Sequence, residues 1–141
     1  MPDDERPLAP RGRRQAPESG RWLADNQEPI DLAVVSPAER ARRTWSLASA
    51  ELASAPTTRL DDRLYGASGR TLLGVVRELP EHVGSVVLVG HNPGLEDLAS
   101  TLAGAWVPMP TSALAVFDVA GSWADLDPVS VELTASGRPP D

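Results

Sequence analysis

The chain has 141 residues, 41% of them hydrophobic and none of them cysteine, and carries a formal net charge of −7. That length suits one domain around one core, burying roughly two thirds of the unfolded surface. Without cysteine there is no disulfide, thiolate zinc site or cysteine nucleophile, and the acidic balance disfavours general binding to nucleic acid or an anionic membrane.

A helix is expected over much of Gly12 to Asp25, starting late or kinked because Pro17 lacks a backbone N–H. Ile30 to Val35 reads as a buried strand, and Val86 to Val89 is a continuous apolar run of the kind found in strands covered on both faces. Ser36, Pro37 and Glu39 read as a capping box with proline at the first helical position, opening a helix to about Leu52 whose Ala38, Ala41, Trp45 and Ala48 share a face. A turn-rich segment leads to Tyr65, and Ser68 caps a helix carrying Leu72, Leu73, Val76 and Leu79. Val86 to Val89 reads as a second interior strand. Asn92 and Pro93 then start a helix marked by Leu95, Leu98, Ala99 and Leu102. Ala113 to Val119 reads as a strand, and Val129, Val131 and Leu133 alternate with polar residues as in an edge strand with one wet face. Gly137 to Asp141 is expected to be a frayed tail. The order predicts a single three-layer α/β/α domain over residues 1–141, with a mixed, mostly parallel central sheet.

Two strand-to-helix junctions carry the chemistry. His91 stands at the tip of the Val86–Val89 strand, where unpaired backbone N–H groups of a helix start favour an anion. Arg40 stands one turn into the helix after Ile30–Val35, and its guanidinium fork matches phosphate geometry. Open α/β sheets bind ligands at the carboxyl ends of their strands, so Arg40 and His91 are expected to converge on one oxyanion. Arg11, Arg13, Arg14, Arg42 and Arg43 read as solvated helix arginines, and His82 as a loop residue. Nothing indicates a metal site or a cofactor.

The motifs Ser-Pro-x-x-Arg-Ala-x-x-Thr at Ser36 to Thr44, Leu-Asp-Asp-Arg-Leu-Tyr at Leu60 to Tyr65 and Gly-His-Asn-Pro-Gly at Gly90 to Gly94 resemble the histidine phosphatase superfamily, in particular its small SixA-type phosphohistidine phosphatases. The segment Arg6–Ala16 resembles the stretch after that group's first strand, and Pro110 to Leu114 its late loop and strand. The resemblance implies a phosphoglycerate mutase-like fold. It implies metal-free transfer of a phosphoryl group to a histidine and then to water, with Arg40 and His91 holding the phosphate oxygens. By position Asp62 matches the carboxylate that protonates leaving groups in larger relatives.

The resemblance also implies a first strand ending in Arg-His, whose histidine is the nucleophile. No such pair occurs here, where the two histidines are His82 and His91. A start codon assigned too late in GC-rich DNA is the favoured explanation, and a true truncation the other. The 141-residue polypeptide is accordingly expected to be poorly stable and inactive, since the missing strand would leave sheet edges unpaired. The short chain favours a phosphorylated protein as substrate, with a small phosphate ester or a non-catalytic phosphate-binding module as alternatives. No apolar run reaches the length of a membrane span and no signal-peptide core is present, so a cytoplasmic monomer is expected.

Overall fold

Alternate residues of the four-residue strand β1 (Leu32–Val35) serve two different cores, which fixes the layering of the molecule. Leu32 and Val34 pack with Leu72, Val75 and Leu98, whereas Ala33 and Val35 pack with Leu23, Trp45 and Ala48. The same division holds in β3 (Val86–Val89), where Val86 and Leu88 join the first cluster and Val87 and Val89 the second. A strand's side-chain period of two thus feeds helices on both faces. On one side lie α1 (Pro10–Asn26) and α2 (Glu39–Ser49), and on the other α3 (Gly69–Arg77) and α4 (Gly94–Ala103). The pair α1 and α2 approach so closely that a Cβ on Gly20 would collide with the Ala48 carbonyl. This is the computed structural model of the chain, and it describes residues 1–140.

The central sheet is parallel, in the order β2-β1-β3, with β2 at Thr57–Leu60. Leu32 pairs with both Thr57 and Val86, so the three strands end together and release Ser36, Asp61 and Gly90 along one edge. Strands β4 (Leu114–Val119) and β5 (Val131–Gly137) form a separate antiparallel pair. The fold is α/β as expected, but the expected single mixed sheet is divided into these two pieces.

Between the two pieces lies a cavity of about 760 Å³, bordered by Val86, Val87 and Leu88 of β3 and by Ala115, Val116 and Phe117 of β4. Consecutive residues line it from each strand, so strand edges and not faces border the space. All four residues of β1 are buried, whereas all four of β3 are only half-buried. The fully interior strand expected at Val86–Val89 is therefore corrected: it is covered on both faces but bare along one edge. Among the described residues no strand pairs with that edge.

Several boundaries differ from the sequence reading. Helix α1 opens two residues earlier than expected because Pro10 presets its first position, and it continues through Pro17. Strand β1 begins at Leu32 because the Asp31 and Leu32 amides both donate to the Ser85 carbonyl. Helix α2 begins at Glu39, after Ala38, without a side-chain cap. Strand β2 replaces an expected turn-rich segment. Val129, read as a strand residue, is 93% exposed and precedes β5. Gly137, expected to open the tail, closes β5 opposite Leu114 and bridges to Pro140. Asp141, the last residue of that tail, lies outside the described residues. No helix among them is long and apolar enough to cross a membrane.

Candidate functional site

The carboxyl edge of the central sheet delivers His91 immediately after β3 and, through Ser36 and Pro37, aims α2 so that Arg40 faces the same space. Arg40 and His91 line one cavity of about 370 Å³, together with Ser19, Asn92, Thr111 and Ser112. Both candidate residues thus border the same cavity, from positions 51 apart in the chain.

His91 is half-buried and fixed by one contact. Its Nε2 lies 2.7 Å from Ser36 Oγ, and Nδ1 has no protein partner among the described residues. Ser36 is fully buried, and its amide donates to the Val89 carbonyl at 2.9 Å. Its hydroxyl also accepts from the Ala38 amide, but at 3.3 Å, the weaker of its two contacts. The expected capping role for Ser36 is thereby corrected: the residue locks the strand ends together and orients the imidazole. The pattern Ser-Pro-x-Glu could not separate these roles, because both place a serine at the end of a strand.

Asn92 does support the start of α4, its Oδ1 accepting from the Glu96 amide at 3.1 Å while its Nδ2 donates to the Met109 carbonyl. The Leu95 amide donates to the His91 carbonyl at 3.0 Å, and the Asp97 amide to Pro93. Most of the N–H groups expected to greet an anion at this helix start are consequently paired within the chain. Positive charge for an anion comes from Arg40 instead.

Burial lowers the pKa of His91 from its ordinary value, Arg40 adds to the shift, and the Asp3 carboxylate opposes it. The imidazole is therefore neutral near pH 7. An unfolded histidine takes its proton at about pH 6.5 while folded His91 resists it. Stability should rise with pH through that window and be lost as pH falls below it. Urea unfolding across the range should show this slope, and His91→Gln should remove its share; an unchanged slope in the variant would show that another group governs it.

Asp62 lies in a 3₁₀ turn (Asp62–Leu64), exposed, outside the cavity lining and without a side-chain bond among the described residues. Its neighbour Asp61 is the engaged carboxylate, accepting from the Arg63 amide and guanidinium at 3.0 and 2.9 Å. The Arg63 hydrogen bonds hold Asp61 below its ordinary pKa. His82 is exposed, and no group of three or more candidate metal ligands occurs among the described residues.

Three residues that sequence reading left without a role adjoin the site. The Asp3 carboxylate accepts from Arg40 Nη2 at 3.1 Å and from the Tyr65 hydroxyl at 2.5 Å. Its other oxygen accepts from Arg6 Nε at 2.8 Å. The Tyr65 ring stands edge-on to His91, with centroids 5.5 Å apart. Tyr65 closes a motif already recognised and Arg6 opens the segment Arg6–Ala16 that shares the resemblance, which were usable signals; Asp3 sits in a polar stretch that has none.

The model of the histidine phosphatase superfamily (branch 1) matches residues 3–85, more than half of the chain. The chain belongs to this superfamily. An uncharacterized protein of Mycobacterium tuberculosis is 39% identical over 137 residues, covering 89% of this chain and 84% of its relative. One of Mycobacterium leprae is 35% identical over 143 residues, covering 94% and 86%. Among solved structures, a candidate phosphohistidine phosphatase SixA of Nakamurella multipartitia superposes with a TM-score of 0.86 at 27% identity, covering 97% of this chain and 87% of that one. Its counterpart from Agrobacterium tumefaciens gives 0.76 at 29%, covering 84% and 80%. In this histidine phosphatase domain Arg40 and His91 border one cavity, and the edge of β3 is uncovered among the described residues.

Proposed function

We propose that this protein acts in the cytoplasm as a phosphohistidine phosphatase, removing phosphate from a phosphorylated protein through a covalent phosphohistidine. The observation that carries the reading is the convergence of Arg40 and His91 on one cavity at the carboxyl edge of the sheet. Membership of the superfamily and likeness to the SixA structures support it. In-line attack by a histidine nitrogen would form one N–P bond as the substrate's N–P bond breaks. Water would then break the new bond, returning the histidine and inorganic phosphate. Negative charge spread over the equatorial oxygens would be met by the Arg40 guanidinium and an imidazole N–H of His91, without a metal.

Of the two histidines, His82 is exposed in the turn before β3 and His91 is assigned here to the phosphate oxygens, so this reading gives the attack to no histidine of residues 1–141. That observation favours a second reading, a phosphate-binding module without turnover; a phosphatase for small phosphate esters shares the same pocket chemistry. The polypeptide of residues 1–141 should bind inorganic phosphate and release none from a phosphohistidine peptide. Fusing a strand-forming apolar segment that ends in Arg-His ahead of Met1 should confer release. Release of phosphate only from small esters would select the ester reading, and binding without turnover in both proteins the binding module. In the fused protein, an Asp62 that reaches the leaving group from its exposed turn should make Asp62→Asn slow alkyl phosphate hydrolysis more than phosphohistidine hydrolysis, because only the poorer leaving group needs a proton; equal effects would remove Asp62 from the chemistry.

A further inference from the structure

We infer that Arg6, Arg40 and Tyr65 form an oxyanion subsite adjoining His91, which the chain's own Asp3 carboxylate fills until a phosphoryl group displaces it. The inference deepens the reading of the same site given above and rests on it for the identity of the anion. Three donors from three separate segments meet on one carboxylate: Arg6 after the 3₁₀ turn at Asp3–Glu5, Arg40 from α2, and Tyr65 after the turn at Asp62–Leu64. Arg6 presents Nε and Nη2 to Oδ1, each at 2.8 Å. Arg40 Nη2 and the Tyr65 hydroxyl share Oδ2, and Arg40 Nη1 donates at 2.8 Å to the Asp3 backbone carbonyl.

The chemistry of this set selects an anion. Guanidinium groups donate and never accept, and the phenol donates here, so nothing in the cluster would pair with a cation, and two guanidinium charges favour an anion over a neutral acceptor. Without Asp3 the two guanidinium groups carry two positive charges, the complement of a phosphoryl dianion. With Asp3 in place half of that charge is spent on an internal ligand. The Asp3 and Arg6 side chains are each about half exposed, at 49% and 59%, so their ion pair is solvated and exchangeable. The Tyr65 hydroxyl first, and Arg40 and Arg6 after it, hold the Asp3 carboxyl down to about 2, which keeps the occupant anionic wherever the protein is handled. The same hydrogen bond raises the pKa of Tyr65. Because the Tyr65 ring packs edge-on against His91, an anion seated in place of Asp3 lies within the reach of the site that holds His91 and Arg40. Phosphate affinity in the resting protein is then reduced by the fraction of molecules in which Asp3 occupies the fork.

Calorimetric titration with inorganic phosphate at fixed pH and salt tests this. Asp3→Asn should bind phosphate roughly tenfold more tightly than the parent, and Arg6→Ala or Tyr65→Phe placed on Asp3→Asn should each lose several-fold of that gain. Tyr65 is the sole tyrosine, so phenolate absorbance reports it directly. Its titration should fall toward the ordinary value in Asp3→Asn and climb again when phosphate is added. Unchanged or weaker phosphate binding by Asp3→Asn would overturn the proposal, since Asp3 would then be holding Arg40 in place and not competing for it. A Tyr65 titration that ignores phosphate in Asp3→Asn would overturn it as well. Both readouts are independent of turnover: if they are passed and the protein fused to the Arg-His segment still releases no phosphate from a phosphohistidine peptide, the enzymatic reading is lost and this one is kept.

Discussion

Arg40→Ala and His91→Ala are each expected to remove phosphate binding from the cavity at the carboxyl edge of the sheet. In any form of the chain that turns over phosphohistidine, each should lower the rate by about 10²–10³-fold, the usual cost of deleting one preorganised donor from a developing oxyanion. The expectation follows from how few donors the cavity offers. The N–H groups at the start of α4 are mostly spent on His91, Asn92 and Pro93, so backbone dipoles cannot replace a lost side chain. The two losses should not add, because both groups grip one phosphoryl moiety and removing either frees it from its alignment. Fold and stability should separate the variants from mere unfolding. Among the described residues the Arg40 guanidinium bonds only to Asp3, whose side chain is about half exposed, so its removal should change stability by less than about 1 kcal/mol. His91→Ala leaves the buried Ser36 hydroxyl without its closest partner, a cost of about 1 kcal/mol. Calorimetry with phosphate and urea unfolding on the same samples check both halves; parent-like affinity in either variant would refute the role given to that residue.

Local pattern made the scaffold legible wherever one residue's neighbours in sequence are also its neighbours in physics. Leu32–Val35 and Val86–Val89 are apolar at every position because both faces are covered, and the helices showed their buried sides at steps of three and four. Strand β2 was not legible, for all four of its residues are exposed and its place in the sheet rests on backbone pairing with β1. The Trp45 indole donates to Thr58 Oγ1 at 3.1 Å, a contact that no periodicity announces. In the candidate site, Arg40 and His91 were readable because each stands at a strand-to-helix junction. Asp3 lies 37 and 62 residues from the partners it brings together, Arg40 and Tyr65. Such a carboxylate is indistinguishable in sequence from the solvated acids beside it.

The other large effect concerns the cavity between β3 and β4. An extended apolar segment fused ahead of Pro2, able to lie between these strands, should stabilise the chain by on the order of 2 kcal/mol. At this length that corresponds to roughly 5–10 °C in Tm. Both bordering edges carry unpaired backbone groups, and β3 is half-buried where β1 is fully buried, so one added strand would satisfy two ladders and cover side chains from both pieces. Laid parallel to β3, its carboxyl end would emerge beside His91, the place where the superfamily resemblance puts the nucleophile. A central proline in the same segment is the control, since it cannot donate to a ladder and is excluded from interior strands. The parent segment should raise Tm and slow amide exchange across Val86–Val89, and the proline version should do neither. Equal stabilisation by both would mean that the segment covers apolar surface without joining the sheet, and the bare edge of β3 would not be the weak point of the fold.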